Sequence, residues 1–167
     1  RINKVIELLQ TSPVIFATTA GLFGLLIGSF LNVVIHRLPL IMEREWLSEC
    51  ASLLGHEESS ALPEPFNLAT PRSRCPNCQR RIGALENIPI VSYIVLGRKC
   101  RGCKKPISTR YPLVEFTSSL VAVVVAVKFG FGAAFCGALA LSWSLVVLAA
   151  IDIDTQLLPD SITLPLL

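Results

Sequence analysis

Apolar residues in this chain fall into long unbroken runs, not into the alternation of a strand or the single stripe of a surface helix. The first run covers residues 13–35, and two more cover 113–127 and 133–151. About twenty apolar residues suffice to cross a bilayer, so each run is expected to be a transmembrane helix. Lys128-Phe-Gly-Phe-Gly132 supplies a short turn between the last two. Residues 1–12 form an N-terminal flank, and the apolar stretch 161–167 reads as the start of a fourth span. The first run is too long for the core of a signal peptide. With Arg1 at its head and an apolar run at its tail, the chain reads as a fragment of a longer polytopic protein. Within the first span, Gly21, Gly24, Gly28 and Ser29 recur at helical spacing, which suits close helix packing in lipid. Asn32 is placed to bond a neighbouring helix, and His36 begins the polar region.

Composition agrees with the pattern. Hydrophobic residues make up 52% and charged residues 16% of the 167, against about 25% charged in an ordinary soluble domain. The net charge of +3 conceals an asymmetry: of fifteen Lys and Arg, only Arg1, Lys4 and Lys128 lie outside residues 36–112. Short loops rich in Lys and Arg stay in the cytoplasm, so residues 36–112 are expected to be cytoplasmic. The N-terminus and the Lys128 turn then lie outside, and residues 152–160 return to the cytoplasm. Arg1 and Lys4 pull weakly the other way, and the loop exceeds the length for which the charge rule holds best. Within it, Glu43 to Glu64 with Trp46 and Leu47 suggests a short amphipathic interfacial helix. Pro63, Pro65 and Pro71 suggest an extended connector. The β-branched and aromatic run within Pro89 to Leu96 suggests short strands. The basic residues fit anionic lipid as a partner, and no nucleic-acid partner is expected.

The polar stretch carries two cysteine pairs, Cys75-Pro-Asn-Cys78 and Cys100-Arg-Gly-Cys103, separated by twenty-one residues. Two such turns can complete a tetrahedral four-sulfur site of the kind that holds Zn²⁺. Disulfides, an iron site or a redox dithiol are the other uses of this pattern. A reducing compartment favours the metal. Four protein ligands leave no open position, so the ion would be structural, holding together a module over 72–112. Cys50 and Cys136 lack partners at ligand spacing, and Cys136 is expected to be a packing residue. The fold class is therefore an all-α polytopic membrane protein with a small zinc-bound cytoplasmic insertion.

Asp152, Asp154 and Asp160 are the chain's only aspartates, clustered where the third span ends. Carboxylates at membrane depth are costly and tend to be functional. Asp160 also suits a helix cap, Asp154 a solvated loop, and Asp152 either a catalytic group or a boundary marker. Glu115, at the start of the second span, is either an interfacial anchor or part of a polar site.

Taken together, six ordered stretches resemble one family. They are Gly28-Ser-Phe-Leu-Asn-Val-Val-Ile-His-Arg-Leu-Pro39, the two cysteine pairs, Glu86-Asn-Ile-Pro-Ile-Val-Ser-Tyr93, Ile107-Ser-Thr-Arg-Tyr-Pro-Leu-Val-Glu115, and Ala150 to Pro165 around the aspartates. The family is the type IV prepilin peptidases, or leader peptidase/N-methyltransferases. The resemblance implies a multi-pass enzyme of the bacterial inner membrane with two activities. One cleaves the basic leader of prepilins and pseudopilins after a glycine, by aspartic-protease chemistry. The other methylates the new N-terminal amine using S-adenosylmethionine. The first catalytic aspartate of the pattern falls on Asp152 in the loop 152–160, with Asp154, Asp160 and Glu115 as possible supports. The second belongs to a Gly-x-Gly-Asp motif on a later span, and these 167 residues contain none. One carboxyl cannot serve as both base and acid, so the fragment alone is not expected to cleave substrate. The resemblance places methyl transfer with the cytoplasmic loop, without identifying cofactor-binding residues. The acids at Glu43, Glu45, Glu49, Glu57 and Glu58 are candidates for attracting a basic leader. A non-enzymatic zinc-containing scaffold and a transporter fragment are the alternative classes.

Overall fold

The computed structural model describes residues 2–54, 66–71, 73–75, 77–83, 86 and 88–166. Its elements are α1 (Ile2–Thr11), α2 (Pro13–Leu53), α3 (Val91–Val95), α4 (Arg110–Phe129), α5 (Ala133–Thr155) and α6 (Asp160–Thr163), followed by a 3-10 turn at Leu164–Leu166. Among the described residues the only extended pairings are two isolated bridges, Arg74 with Arg81 and Lys99 with Pro106. Helices α2, α4 and α5 are each long and apolar enough to cross a membrane. The protein is thus an all-α polytopic membrane protein.

Pro13 starts α2 with its fixed backbone angle and its missing N–H, both harmless in a first turn. The helix then runs 41 residues, about 60 Å at 1.5 Å per residue and roughly twice a bilayer's apolar thickness. The expected stop at residue 35 does not occur, and among the described residues there is no separate interfacial helix. Residues 40–53 lack glycine and proline, and eight of the fourteen are Leu, Glu, Met or Arg, so helix propagates through them. Pro39 is the one breaker inside the helix. Helices α4 and α5 likewise extend beyond the apolar runs 113–127 and 133–151, so Asp152 and Asp154 lie on the last turn of α5, not in a loop.

The strands expected around Pro89 to Leu96 are replaced by α3. A lone strand would leave its backbone groups without partners. The helical turn supplies them locally, with the amides of Ser92, Ile94 and Leu96 donating to the carbonyls of Ile88, Ile90 and Ser92.

The bundle is built around the crossing of α2 and α4. A Cβ added at Gly24 would lie 2.8 Å from the Ser118 carbonyl oxygen, and one at Gly28 would lie 2.6 Å from Cα of Glu115. The two backbones approach so closely only because no side chain intervenes. Ser119 Oγ donates to the Gly21 carbonyl at 2.8 Å, and Asn32 Nδ2 donates to the Tyr111 carbonyl at 3.0 Å. Helix α5 closes the bundle through two apolar clusters. One centres on Phe16, Ala122, Ala126 and Leu139, the other on Leu31, Ile35, Val114, Val147 and Ile151. The helices alternate in direction. Residues 32–37 of α2, the start of α4 and the end of α5 therefore meet at one end, beside the polar segment.

Candidate functional site

The two cysteine pairs form a repeated local structure. Cys75 N–H donates to the Arg80 carbonyl at 2.9 Å, and Gln79 N–H returns to the Cys75 carbonyl at 2.9 Å. In the second pair, Cys100 N–H donates to the Lys105 carbonyl at 2.9 Å and Lys104 N–H returns to the Cys100 carbonyl at 3.0 Å. Gln79 (φ 56°) and Lys104 (φ 59°) occupy matching left-handed positions. Each turn folds its two thiols inward, and the four sulfurs lie within 4.8 Å of one another. None of the four is in a disulfide. The cluster could hold a metal ion. Amides of Cys78 and Asn77 stabilise the thiolate of Cys75 and lower its pKa to about 6. Amides of Cys103 and Gly102 lower that of Cys100. The Lys105 amide favours the Cys103 thiolate, but burial and the three neighbouring sulfurs outweigh it and push that thiol up to about 11.

Polar contacts stitch the two turns together. Glu86 accepts from Arg80 at 2.8 Å and lies 3.6 Å from Arg101 of the other turn. The Arg80 hydrogen bond and the Gly83 amide hold its carboxyl below the usual range. Lys105 Nζ donates to Asn77 Oδ1 at 2.9 Å. Gly102 lets the turns close, since a Cβ there would lie 3.1 Å from Cδ of Arg80.

At the polar end of the bundle, the buried Glu115 accepts the Ile90 amide at 2.7 Å. This contact ties the residue that precedes α3 to α4, and Ile90 stands at φ 57°, a positive value unusual for a β-branched residue. Arg37, also buried, donates to the carbonyls of Asn67, Leu68 and Pro71. Arg44 lies 4.0 Å over the Phe66 ring. These contacts fasten residues 66–71 to the protruding half of α2. Arg110, the first residue of α4, pairs with Asp154 and donates to the Ala150 carbonyl at 3.0 Å. Asp152 is exposed on the same last turn of α5.

A family model described as the bacterial peptidase A24 N-terminal domain matches residues 22–129. The chain belongs to this family. Its A24 relatives include proteins named prepilin leader peptidase/N-methyltransferase. The one from Aeromonas hydrophila is 49% identical over 163 residues, covering 98% of this chain and 56% of the relative. The one from Pseudomonas aeruginosa is 47% identical over 167 residues, again covering 98% and 56%. The chain thus spans a little over half the length of these relatives. No solved structure matches it.

Within this A24 chain, the structure brings Cys75, Cys78, Cys100 and Cys103 together. Asp154 is not a free loop residue but the partner of Arg110. Asp160 does not act as a cap: Pro159 precedes α6 in that position, and no side chain caps the helix. Glu115 points into a polar contact within the chain. Asn32 bonds the neighbouring helix, whereas Cys136 is exposed on α5 instead of packed. Glu57, Glu58, Pro63 and Pro65, with Arg72 and Pro76 of the cysteine module, lie outside the described residues. Arg37, Glu86 and Arg110 are the structural anchors that sequence reasoning did not single out. Arg110 carried one usable signal, a lone cation directly before an apolar span.

Proposed function

We propose that the whole protein is a bifunctional enzyme of the bacterial inner membrane that cleaves the leader of prepilins and pseudopilins and then N-methylates the new terminus. The observation carrying this reading is the near-half identity, along almost the entire chain, to relatives named for both activities. The loop bearing the cysteines is proposed to be cytoplasmic, with anionic lipid beside its basic residues.

For the peptidase, Asp152 is the proposed first catalytic carboxyl. It stands exposed at a helix end, among other polar groups, on a helix long enough to span the membrane. A carboxylate at a helix C-terminus faces the negative end of the helix dipole, which gives it no structural reward. In the proposed step, one carboxylate takes a proton from water while a second, protonated carboxyl polarises the scissile carbonyl. Water oxygen bonds to the carbonyl carbon, the C–N bond breaks, and the departing nitrogen takes a proton. The products are the leader's carboxyl terminus and a free N-terminal amine. The second carboxyl is proposed to lie on a Gly-x-Gly-Asp motif outside these 167 residues. S-adenosylmethionine is the proposed methyl donor, and we assign no residue of this chain to it.

Zinc is the proposed ion of the cysteine cluster. With metal–sulfur distances of about 2.3 Å, a tetrahedral site separates its sulfurs by about 3.8 Å. Cys75 and Cys103 sulfurs are 3.8 Å apart, and those of Cys78 and Cys100 are 4.0 Å apart. These separations support a closed tetrahedral site. Zinc there would supply cross-linking, not chemistry.

The test is leader cleavage by the full-length protein in detergent or nanodiscs, wild type against Asp152→Asn. Loss of cleavage with zinc content intact is the expected result. Undiminished cleavage by the variant would move the carboxyl elsewhere, and no cleavage by wild type would favour a scaffold.

A further inference from the structure

Two carboxylates crowd the last turn of α5, where the helix dipole opposes both and the final carbonyls lack intrahelical partners. Such a turn frays unless something holds it. Locally, Gln156 N–H donates to the Asp152 carbonyl at 2.9 Å and Thr155 Oγ1 donates to the Ile151 carbonyl at 2.9 Å. From elsewhere in the fold, Arg110 is the only side chain that hydrogen-bonds this turn among the described residues. Its Nη1 pairs with the Asp154 carboxylate, and its Nη2 reaches the Ala150 carbonyl at 3.0 Å. One planar guanidinium therefore grips the helix at two points one turn apart, a fork geometry that lysine does not reproduce.

Residues 150 and 154 share one face of α5. Asp152 lies between them in sequence and about 200° around the helix from Ala150, since each residue turns the helix by about 100°. Arg110 thus grips one side of the turn and leaves the Asp152 carboxylate free on the other. It also neutralises Asp154, so that the turn carries one unpaired carboxylate instead of two. About 100° around the helix from Ala150, and as far from Asp152, Ile151 is fully buried against the α2 and α4 cluster. The turn is held between that apolar contact and the guanidinium.

We propose that Arg110 is a positioning residue for Asp152: by bridging Asp154 and the Ala150 carbonyl it fixes the end of α5 in the orientation that peptide cleavage requires. The inference rests on the reading of Asp152 as a catalytic carboxyl. Arg110 touches neither Asp152 nor, on this reading, the scissile bond. It acts through the geometry of the turn, where misplacement by about 1 Å can cost on the order of a hundredfold in rate.

The experiment uses full-length enzyme in nanodiscs and a prepilin substrate. It compares wild type, Arg110→Ala, Arg110→Lys, Asp154→Ala, the Arg110→Ala/Asp154→Ala double variant and Asp152→Asn, with zinc content as the folding check. Arg110→Ala is expected to lower kcat at least about tenfold with KM nearly unchanged, the signature of lost geometry and not lost binding. Arg110→Lys is expected to fall between it and wild type. The double variant should be no slower than Arg110→Ala, because the two residues form one contact. Added methylguanidinium should restore part of kcat to Arg110→Ala and none to Asp152→Asn. A merely structural role would not give rescue confined to kcat. Wild-type kcat in Arg110→Ala, multiplicative losses in the double variant, or a raised KM at full kcat would each overturn the inference. If Arg110→Ala loses its zinc, Arg110→Lys and Asp154→Ala carry the test under the same criteria. If Asp152→Asn cleaves normally, the catalytic reading fails and this inference with it. If Asp152→Asn is dead while Arg110→Ala is fully active, only this inference fails.

Discussion

Replacing Gly28 by alanine adds one methyl group at the tightest point between α2 and α4. The new Cβ would lie 2.6 Å from Cα of Glu115, 3.1 Å from Cβ of Ser118 and 3.2 Å from the Glu115 carbonyl oxygen. Carbon atoms attract best at about 3.5–4.0 Å, so the helices must separate by about 1 Å. The first obstacle is backbone, which cannot rotate aside. Overpacking of this kind costs about 1–3 kcal/mol, and alanine's better helix propensity returns about 1 kcal/mol at most. Separation would also stretch the Asn32–Tyr111 hydrogen bond, one turn further along the same seam. A control isolates the steric effect. A Cβ added at Gly137 on α5 would meet nothing within 4 Å, so Gly137→Ala collects the propensity gain alone. Thermal unfolding of the full-length protein in one detergent measures both. The shift is about 2–4 °C per kcal/mol at 150–250 residues and smaller for a longer chain, so Gly28→Ala should melt lower than wild type and Gly137→Ala at or above it. Equal melting temperatures for Gly28→Ala and wild type would refute the close-approach argument.

Zinc affinity should rise with pH through the neutral range. Cys103, pushed up to about 11, must shed its proton to bind, whereas Cys75, lowered to about 6, is already largely ionised at pH 7; proton release measured by calorimetry in buffers of different ionisation heat checks this. Glu86→Gln should speed zinc loss to a chelator at neutral pH. Because the folded state holds the Glu86 carboxyl low, its contribution is present above the ordinary carboxylate range and fades as pH falls below that range through the lowered folded value, so wild type and variant should converge in acid. Arg37→Ala should release residues 66–71 to proteolysis while leaving the cysteine cluster metal-competent. Hydrogen bonds from a charged group are worth about 1.5–3 kcal/mol each, and the variant strands three carbonyls. Unchanged cleavage there would show that the Phe66 contact with Arg44 suffices.

The spans and the cysteine cluster were legible because each rests on a local rule. A bilayer demands long apolar runs, and a four-sulfur site demands paired thiols on tight turns. What escaped depended on partners distant in sequence. Nothing near Ile90 announces that its amide will meet Glu115 twenty-five residues later, yet that contact ties the residue that precedes α3 to α4. The β-branched run Val91 to Val95 favours strand on propensity, but no neighbouring strand exists among the described residues to pair with it. Arg110 and Asp154 are forty-four residues apart, and only the antiparallel packing of α4 on α5 joins them. The end of α2 was misjudged for a different reason. Hydropathy marks where a helix leaves the membrane, not where it stops being a helix.

That unbroken helix has a mechanical consequence. Gly28 is the natural fulcrum of α2, since that is where its backbone touches α4. Leu53 lies twenty-five residues further on, an arm of about 38 Å at 1.5 Å per residue. A rocking motion of about 5° at the fulcrum would carry the tip through about 3 Å. Over the same motion Asn32, one turn from the fulcrum, would shift by only about half an ångström. A helix of this length would convert a small tilt among the membrane helices into a larger displacement at its far end, and Arg37 ties residues 66–71 to that arm.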